Sequence, residues 1–200
     1  MSTTTKTTAD QNERRSIGIS DLEVRVEQGK PTGIVGYAAK FGVRSEPIFG
    51  SFREVIAKGA FGKNLPGADI RFLVGHDTSQ ILGRTKSGTL SVREDDIGLR
   101  FDLTFPETTL AKDTVEQINR RDIDAMSFGF KTIEDAWGED ESGFALRTLK
   151  EVKVFEISLT AFPAYDLTEV ALRDLRAWRE SKSHTRRSRL RVRLHEADSH

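Results

Sequence analysis

Apolar residues recur at every second position over most of this chain and at helical spacing in two stretches. Leu22, Val24 and Val26 alternate with Glu23, Arg25 and Glu27 up to Gly29-Lys30-Pro31, which predicts a half-exposed strand and a turn. Gly33 to Phe41 predicts a second strand, glycine-rich enough to bend or carry a bulge, and the two together predict an antiparallel hairpin. Phe52 to Ala57 is a short apolar run. Lys58-Gly59-Ala60-Phe61 interrupts it and starts a short helical turn through Leu65, closed by Pro66-Gly67. From Ile70 to Gly75 a strand puts Ile70, Phe72 and Val74 on one face, and its alternation places His76 at the end of that face. Gly83-Arg84-Thr85, Gly88-Thr89-Leu90 and Asp95-Asp96-Ile97-Gly98 punctuate three more strands, the last running from Leu99 to Phe105.

After Pro106 the period changes. Thr108 or Thr109 can cap a helix carrying Leu110, Val115 and Ile118, and Arg120-Arg121 suits its C-terminus. Ala125 to about Ile133 predicts a strand with Met126, Phe128 and Phe130 on one face and Ala125, Ser127 and Gly129 on the other. Glu134 to Gly143 is acidic and carries glycines, which predicts an exposed loop in which Trp137 finds no evident partner. Phe144 to Ala161 predicts one or two strands, with Phe155, Ile157 and Leu159 on one face and Val152, Val154 and Glu156 on the other. A second helix follows, with Asp166 as cap, Glu169 three residues on, and Leu167, Val170, Ala171, Leu175 and Trp178 as its apolar stripe. About nine short strands and two helices predict a mainly β fold, a barrel or sandwich with helices packed outside.

Residues 1–18 are polar and threonine-rich, which predicts a disordered tail ahead of a folded domain over 19–180. Residues 181–200 read as a basic C-terminal tail. That end is open to three readings: a solvated tail, a tether to other components of an assembly, or an edge strand in which Arg189 to Leu194 alternates arginine with Leu190, Val192 and Leu194. Of 200 residues, 36% are hydrophobic, enough for one domain with a real core. Lysine plus arginine equals aspartate plus glutamate at 31 each, so the overall charge gives no reason to expect nucleic acid or an acidic membrane as partner. Cysteine is absent, which removes disulfides, thiolate nucleophiles and the commonest zinc sites. The N-terminus has no apolar signal core and no stretch is apolar enough to span a membrane, so a soluble intracellular chain is expected.

Histidine scarcity narrows the chemistry. Of four histidines, His184, His195 and His200 lie in the C-terminal tail and His76 alone belongs to the folded body. No metal-ligand spacing and no phosphate-cradling glycine loop occurs, so no cofactor is expected. Ser127 is either a strand serine bonded to a neighbouring main chain or a nucleophile with room above its bare face. His76 is either a satisfied histidine at a strand end or the base for Ser127, since imidazole titrates near neutrality. A third group would fix its tautomer. Asp77 points away in extended chain, Glu156 sits on a strand beside apolar neighbours, and Asp124 lies just before the serine strand.

Several motifs occur in a fixed order: Lys58-Gly59-Ala60-Phe61, Gly75-His76-Asp77, Leu82-Gly83-Arg84-Thr85, Gly88-Thr89-Leu90, Gly98-Leu99, Met126 to Phe130, Phe155 to Leu159, and Pro163-Ala164-Tyr165. The chain from Gly33 to Arg173 thereby resembles the prohead maturation proteases of HK97-like tailed phages, a serine endopeptidase family related in fold to herpesvirus assembly proteases. The resemblance implies a herpesvirus-protease-like β-barrel with a few packed α-helices. It places the family's histidine on His76 and its nucleophile on Ser127. Where the viral relatives carry a second histidine this chain has Glu156, and backbone N–H groups around Ala164 and Tyr165 are the implied oxyanion donors. It implies as substrates and partners the major capsid protein with its scaffolding segment and the protease itself, a homo-oligomer, and action in the host cytoplasm inside the assembling prohead. The competing account is a non-catalytic capsid-assembly protein that binds subunits through its rim.

Overall fold

In the computed structural model, whose described residues are 3–6, 12–18, 22–162 and 171–183, most of the alternating runs are strands. In chain order these are β1 (Thr3–Lys6), β2 (Glu13–Gly18), β3 (Glu23–Glu27), β4 (Lys30–Lys40), β5 (Arg53–Ile56), β6 (Arg71–Val74), β7 (Asp77–Arg84), β8 (Leu90–Glu94) and β9 (Gly98–Thr104). The helix α1 (Thr109–Arg120) comes next, then β10 (Ala125–Glu139), β11 (Ala145–Thr160) and a helix α2 described over residues 171–183. Thr108 caps α1 by accepting a hydrogen bond from the Ala111 N–H, and Arg121, at φ 64°, ends it.

Two sheets share one core. The larger runs β1-β10-β11-β6-β7, with β2 also paired to β10 and β5 to β11, and the smaller runs β3-β4-β9-β8. Ile34, Leu99 and Leu103 of the smaller sheet meet Phe128, Ile157 and Leu159 of the larger, and the Phe72 and Phe101 rings lie 5.1 Å apart across the interface. Phe61 stacks on Phe41 at 5.7 Å and meets Phe128 edge-on at 5.9 Å, so the turn after β5 plugs the core behind β10. The chain is mainly β as expected, but these sheets do not close into a barrel.

Residues 13–18 differ from the expected tail. They form β2, which pairs with the first half of β10, while β1 pairs with its second half. Composition hid this strand because its inward side chains are charged. Glu13 and Arg15 enter a buried ion cluster in which Arg147 donates to Asp135 Oδ2 (2.7 Å), Glu13 Oε2 (2.7 Å) and Glu54 Oε2 (3.1 Å). Arg15 donates to Glu54 Oε1 at 2.7 Å and to Glu13 Oε2 at 2.9 Å. Burial would lower the Arg147 pKa, yet the carboxylates outweigh it and hold the guanidinium charged.

The loop expected over Glu134 to Gly143 is also largely strand. β10 continues to Glu139, and a short turn leads directly into a single 16-residue β11. Asp135 enters the interior because Arg147 neutralises it from the facing strand, so counting acids misjudged the segment. Trp137 is 1% exposed and does have partners: Phe52 edge-on at 5.0 Å and Trp178 of α2 at 6.3 Å. Ala171, Leu175 and Trp178 pack α2 over this second cluster. The expected cap Asp166 and the tail beyond Lys182 and Ser183 lie outside the described residues.

Candidate active site

β10 presents two chemically different faces, as its alternation predicts. Met126, Phe128 and Phe130 enter the core, and Ser127 and Gly129 stand on the opposite face. Ser127 lies directly opposite Ser158 on β11 and Ser16 on β2. It has no exposed surface, and its Oγ has no hydrogen-bond partner among the described residues.

Glu156 reaches that face through a bulge. Gly129 pairs with Glu156 but Phe130 pairs with Val154, so Phe155 is an extra residue in β11. The alternation resets there: Val152 and Val154 face the core before the bulge, Ile157 and Leu159 after it, and Glu156 and Ser158 point away. The face expected to join Val152, Val154 and Glu156 is therefore split. Gly129 leaves room for the carboxylate, since a Cβ there would lie 2.5 Å from Glu156 Cγ and 2.7 Å from its Oε1.

His76 reaches the same face through a turn. It does not continue the face of Phe72 and Val74. Val74 pairs with Asp77, leaving Gly75 and His76 as a two-residue hairpin loop, both at φ 61°. Two left-handed residues in succession reverse the chain and swing the imidazole across β11, where His76 Nδ1 is 3.0 Å from Glu156 Oε1. β6 runs parallel to β11, with Val74 beside Leu159 and the Gly75 N–H donating to the Leu159 carbonyl at 2.8 Å, which fixes where the turn begins.

Arg14 of β2, overlooked in a segment read as tail, donates from Nε to the same Glu156 Oε1 at 3.0 Å, and the Ser158 hydroxyl reaches Oε2 at 3.4 Å. Burial pushes the Glu156 carboxyl up, but the hydrogen bonds and charges of His76 and Arg14 outweigh it and leave its pKa below the usual glutamate value. A carboxylate bonded to Nδ1 favours the tautomer whose Nε2 is the basic nitrogen. That Nε2 is buried and without a hydrogen-bond partner among the described residues, like Ser127 Oγ, and no hydrogen bond joins the two.

The other candidates separate from this constellation. Asp77 turns its carboxylate to Ser79 and Gln80, and Asp124 is exposed. Ala164 and Tyr165 lie outside the described residues. Among the described residues no group of His, Asp and Glu is arranged to hold a metal ion, and no helix is long and apolar enough to cross a membrane.

The family described as caudovirus prohead serine protease matches residues 20–183. Among solved structures, the bacteriophage T4 capsid assembly protease is similar at 11% identity and a TM-score of 0.46, over 75% of this chain and 97% of that one. No curated protein matches.

Proposed function

The chain belongs to the caudovirus prohead serine protease family, and from that premise we propose that Ser127, His76 and Glu156 form its catalytic triad. The observation that carries this reading is the 3.0 Å contact of His76 Nδ1 with Glu156, which leaves Nε2 free on the face where Ser127 stands. His76 Nε2 removes the proton from Ser127 Oγ as the oxygen attacks the scissile carbonyl carbon. Glu156 stabilises the resulting imidazolium. The tetrahedral intermediate collapses when Nε2–H protonates the departing amine, the C–N bond breaks and an acyl-Ser127 ester remains. Water then gives a proton to Nε2, attacks the ester, and the proton returns to Ser127 Oγ as the new carboxyl end leaves. Backbone N–H groups at Ala164 and Tyr165 are the proposed oxyanion donors.

Ser127 has no exposed surface, so attack requires the groups above it to open. That requirement suits a peptidase that must stay silent until assembly brings substrate to it. The substrates we propose are exposed segments of capsid-assembly proteins, the scaffolding part of the major capsid protein foremost, and the basic end of the chain itself. On this reading the protein acts inside the assembling prohead in the host cytoplasm, and a homo-oligomer, the HK97-like branch and a herpesvirus-protease-like ancestry are further parts of the proposal.

Incubation with a fluorophosphonate probe tests the triad. Label is expected on Ser127, absent in Ser127→Ala, and slower by about 10²–10⁴ in His76→Ala. Mass spectrometry of a capsid subunit co-expressed with the protease should show shortened products that disappear with Ser127→Ala. Processing that persists in that variant would refute the assignment.

A further inference from the structure

β2 has two distinct sides, and both are occupied. Its odd positions, Glu13 and Arg15, are buried in the ion cluster with Arg147 and Glu54. Its even positions, Arg14 and Ser16, face the other way, opposite Gly129 and Ser127 of β10. Among the described strands, β2 pairs only with β10, so the ladder holds it from one side. The charged anchors fix its register, and a slip of one residue would send Arg14 into the core. The family match begins at residue 20, so this arm lies ahead of it.

We propose that Arg14 is a positioning residue of the peptidase site and that β2 is the arm that delivers it. The inference rests on the triad proposed above. Arg14 Nε and His76 Nδ1 converge on one oxygen, Glu156 Oε1, each at 3.0 Å. Two donors at one oxygen fix the carboxylate rotamer more tightly than one, and the guanidinium keeps that carboxylate ionised. Among the described residues, the groups bonded to Glu156 are His76 from the hairpin, Arg14 from β2 and Ser158 along β11, while Gly129 of β10 carries no polar side chain. Arg71, opposite on β6, is held by Asp69 at 3.3 Å. Without Arg14, one donor fewer holds Oε1, and the carboxylate is freer to leave the imidazole.

The test is the rate of fluorophosphonate labelling of Ser127, on the full chain, in the parent, Arg14→Gln, Glu156→Gln, the double variant and Ser127→Ala, with thermal melting of each. Arg14→Gln is expected to label roughly tenfold more slowly, in line with lost partners of other site ligands. In the Glu156→Gln background the Arg14 substitution should cost little more, because the two act through one contact. Arg14→Lys keeps the charge, should restore part of the rate, and serves if the glutamine variant does not fold. The parent rate in Arg14→Gln, or a slowed rate with additive cost in the double variant, would overturn the proposal while leaving the triad intact. Absence of Ser127-dependent label in the parent would instead defeat the triad, and this inference with it.

Discussion

Gly129 lies directly across from Glu156, and the absence of a side chain at that position is what lets the carboxylate lie over β10. A methyl group there would sit 2.5 Å from Glu156 Cγ and 2.6 Å from the Phe155 ring, closer than nonbonded carbons approach. Gly129→Ala must therefore displace the acid from its place beside His76. Labelling of Ser127 should fall by at least about tenfold, while the core behind β10 is untouched and unfolding shifts by no more than about 1–3 kcal/mol. A variant with parent labelling would show that the position of Glu156 is not needed.

Gly75 stands at φ 61° at the first position of the hairpin that turns His76 toward Glu156. No atom lies within 4 Å of a Cβ built there, so Gly75→Ala meets no clash and its cost is conformational alone. A non-glycine residue held left-handed costs about 1–2 kcal/mol. The variant should lose that much in urea unfolding, and its labelling rate should fall as the turn relaxes and the imidazole leaves the carboxylate. Unchanged stability would contradict the turn geometry.

The sequence made the two ends of the site easy to find and the middle hard. Ser127 could be read because β10 alternates without interruption through Met126, Phe128 and Phe130. His76 could be read by elimination, but its direction could not, because strand arithmetic carries a side chain only to the last extended residue and Gly75-His76 is a turn. Glu156 does meet His76, but on a different face from the one the alternation predicts: the bulge at Phe155 resets the period, and a bulge leaves no mark in an apolar alternation of this length. Arg14 was hidden for a different reason. Glu13 and Arg15 are buried only because Arg147, Glu54 and Thr132 receive them, and those partners are between 39 and 134 residues away along the chain.

Arg147 is the hub of that distant set. Its guanidinium is fully buried and bonds Asp135, Glu13 and Glu54. Removing one partner of a buried ion cluster leaves uncompensated charge, at a cost of about 3–5 kcal/mol. Arg147→Met should lower the urea midpoint accordingly, and β2 should be the first element to lose hydrogen-exchange protection because it is held by the charges just freed. A loss below about 1 kcal/mol would mean that the cluster is not what holds β2 in place.

Acid should act on the same arm. Burial raises the Glu13 carboxyl, but Arg147 and Arg15 outweigh it, so its folded pKa lies below 4.5, and Glu156 is likewise lowered by His76 and Arg14 against its burial. Both acids then bind protons more readily in the unfolded chain. Their stabilisation is present above about pH 4.5 and is lost as pH falls through the folded values. Asp135 works in the opposite sense: burial holds its pKa up despite Arg147, so protonating it favours the fold. Asp69, Asp77, Asp95, Asp140 and Glu141 are lowered as well, and Asp135 is the one acid raised among the described residues, so the melting temperature should fall as pH drops from about 5 to 3. Glu13→Gln should flatten part of that slope. Since Glu13 anchors the strand carrying Arg14, peptidase activity should be lost at a higher pH than the fold. Coincident loss of labelling and of ellipticity across the titration would show that β2 does not release ahead of the rest of the sheet.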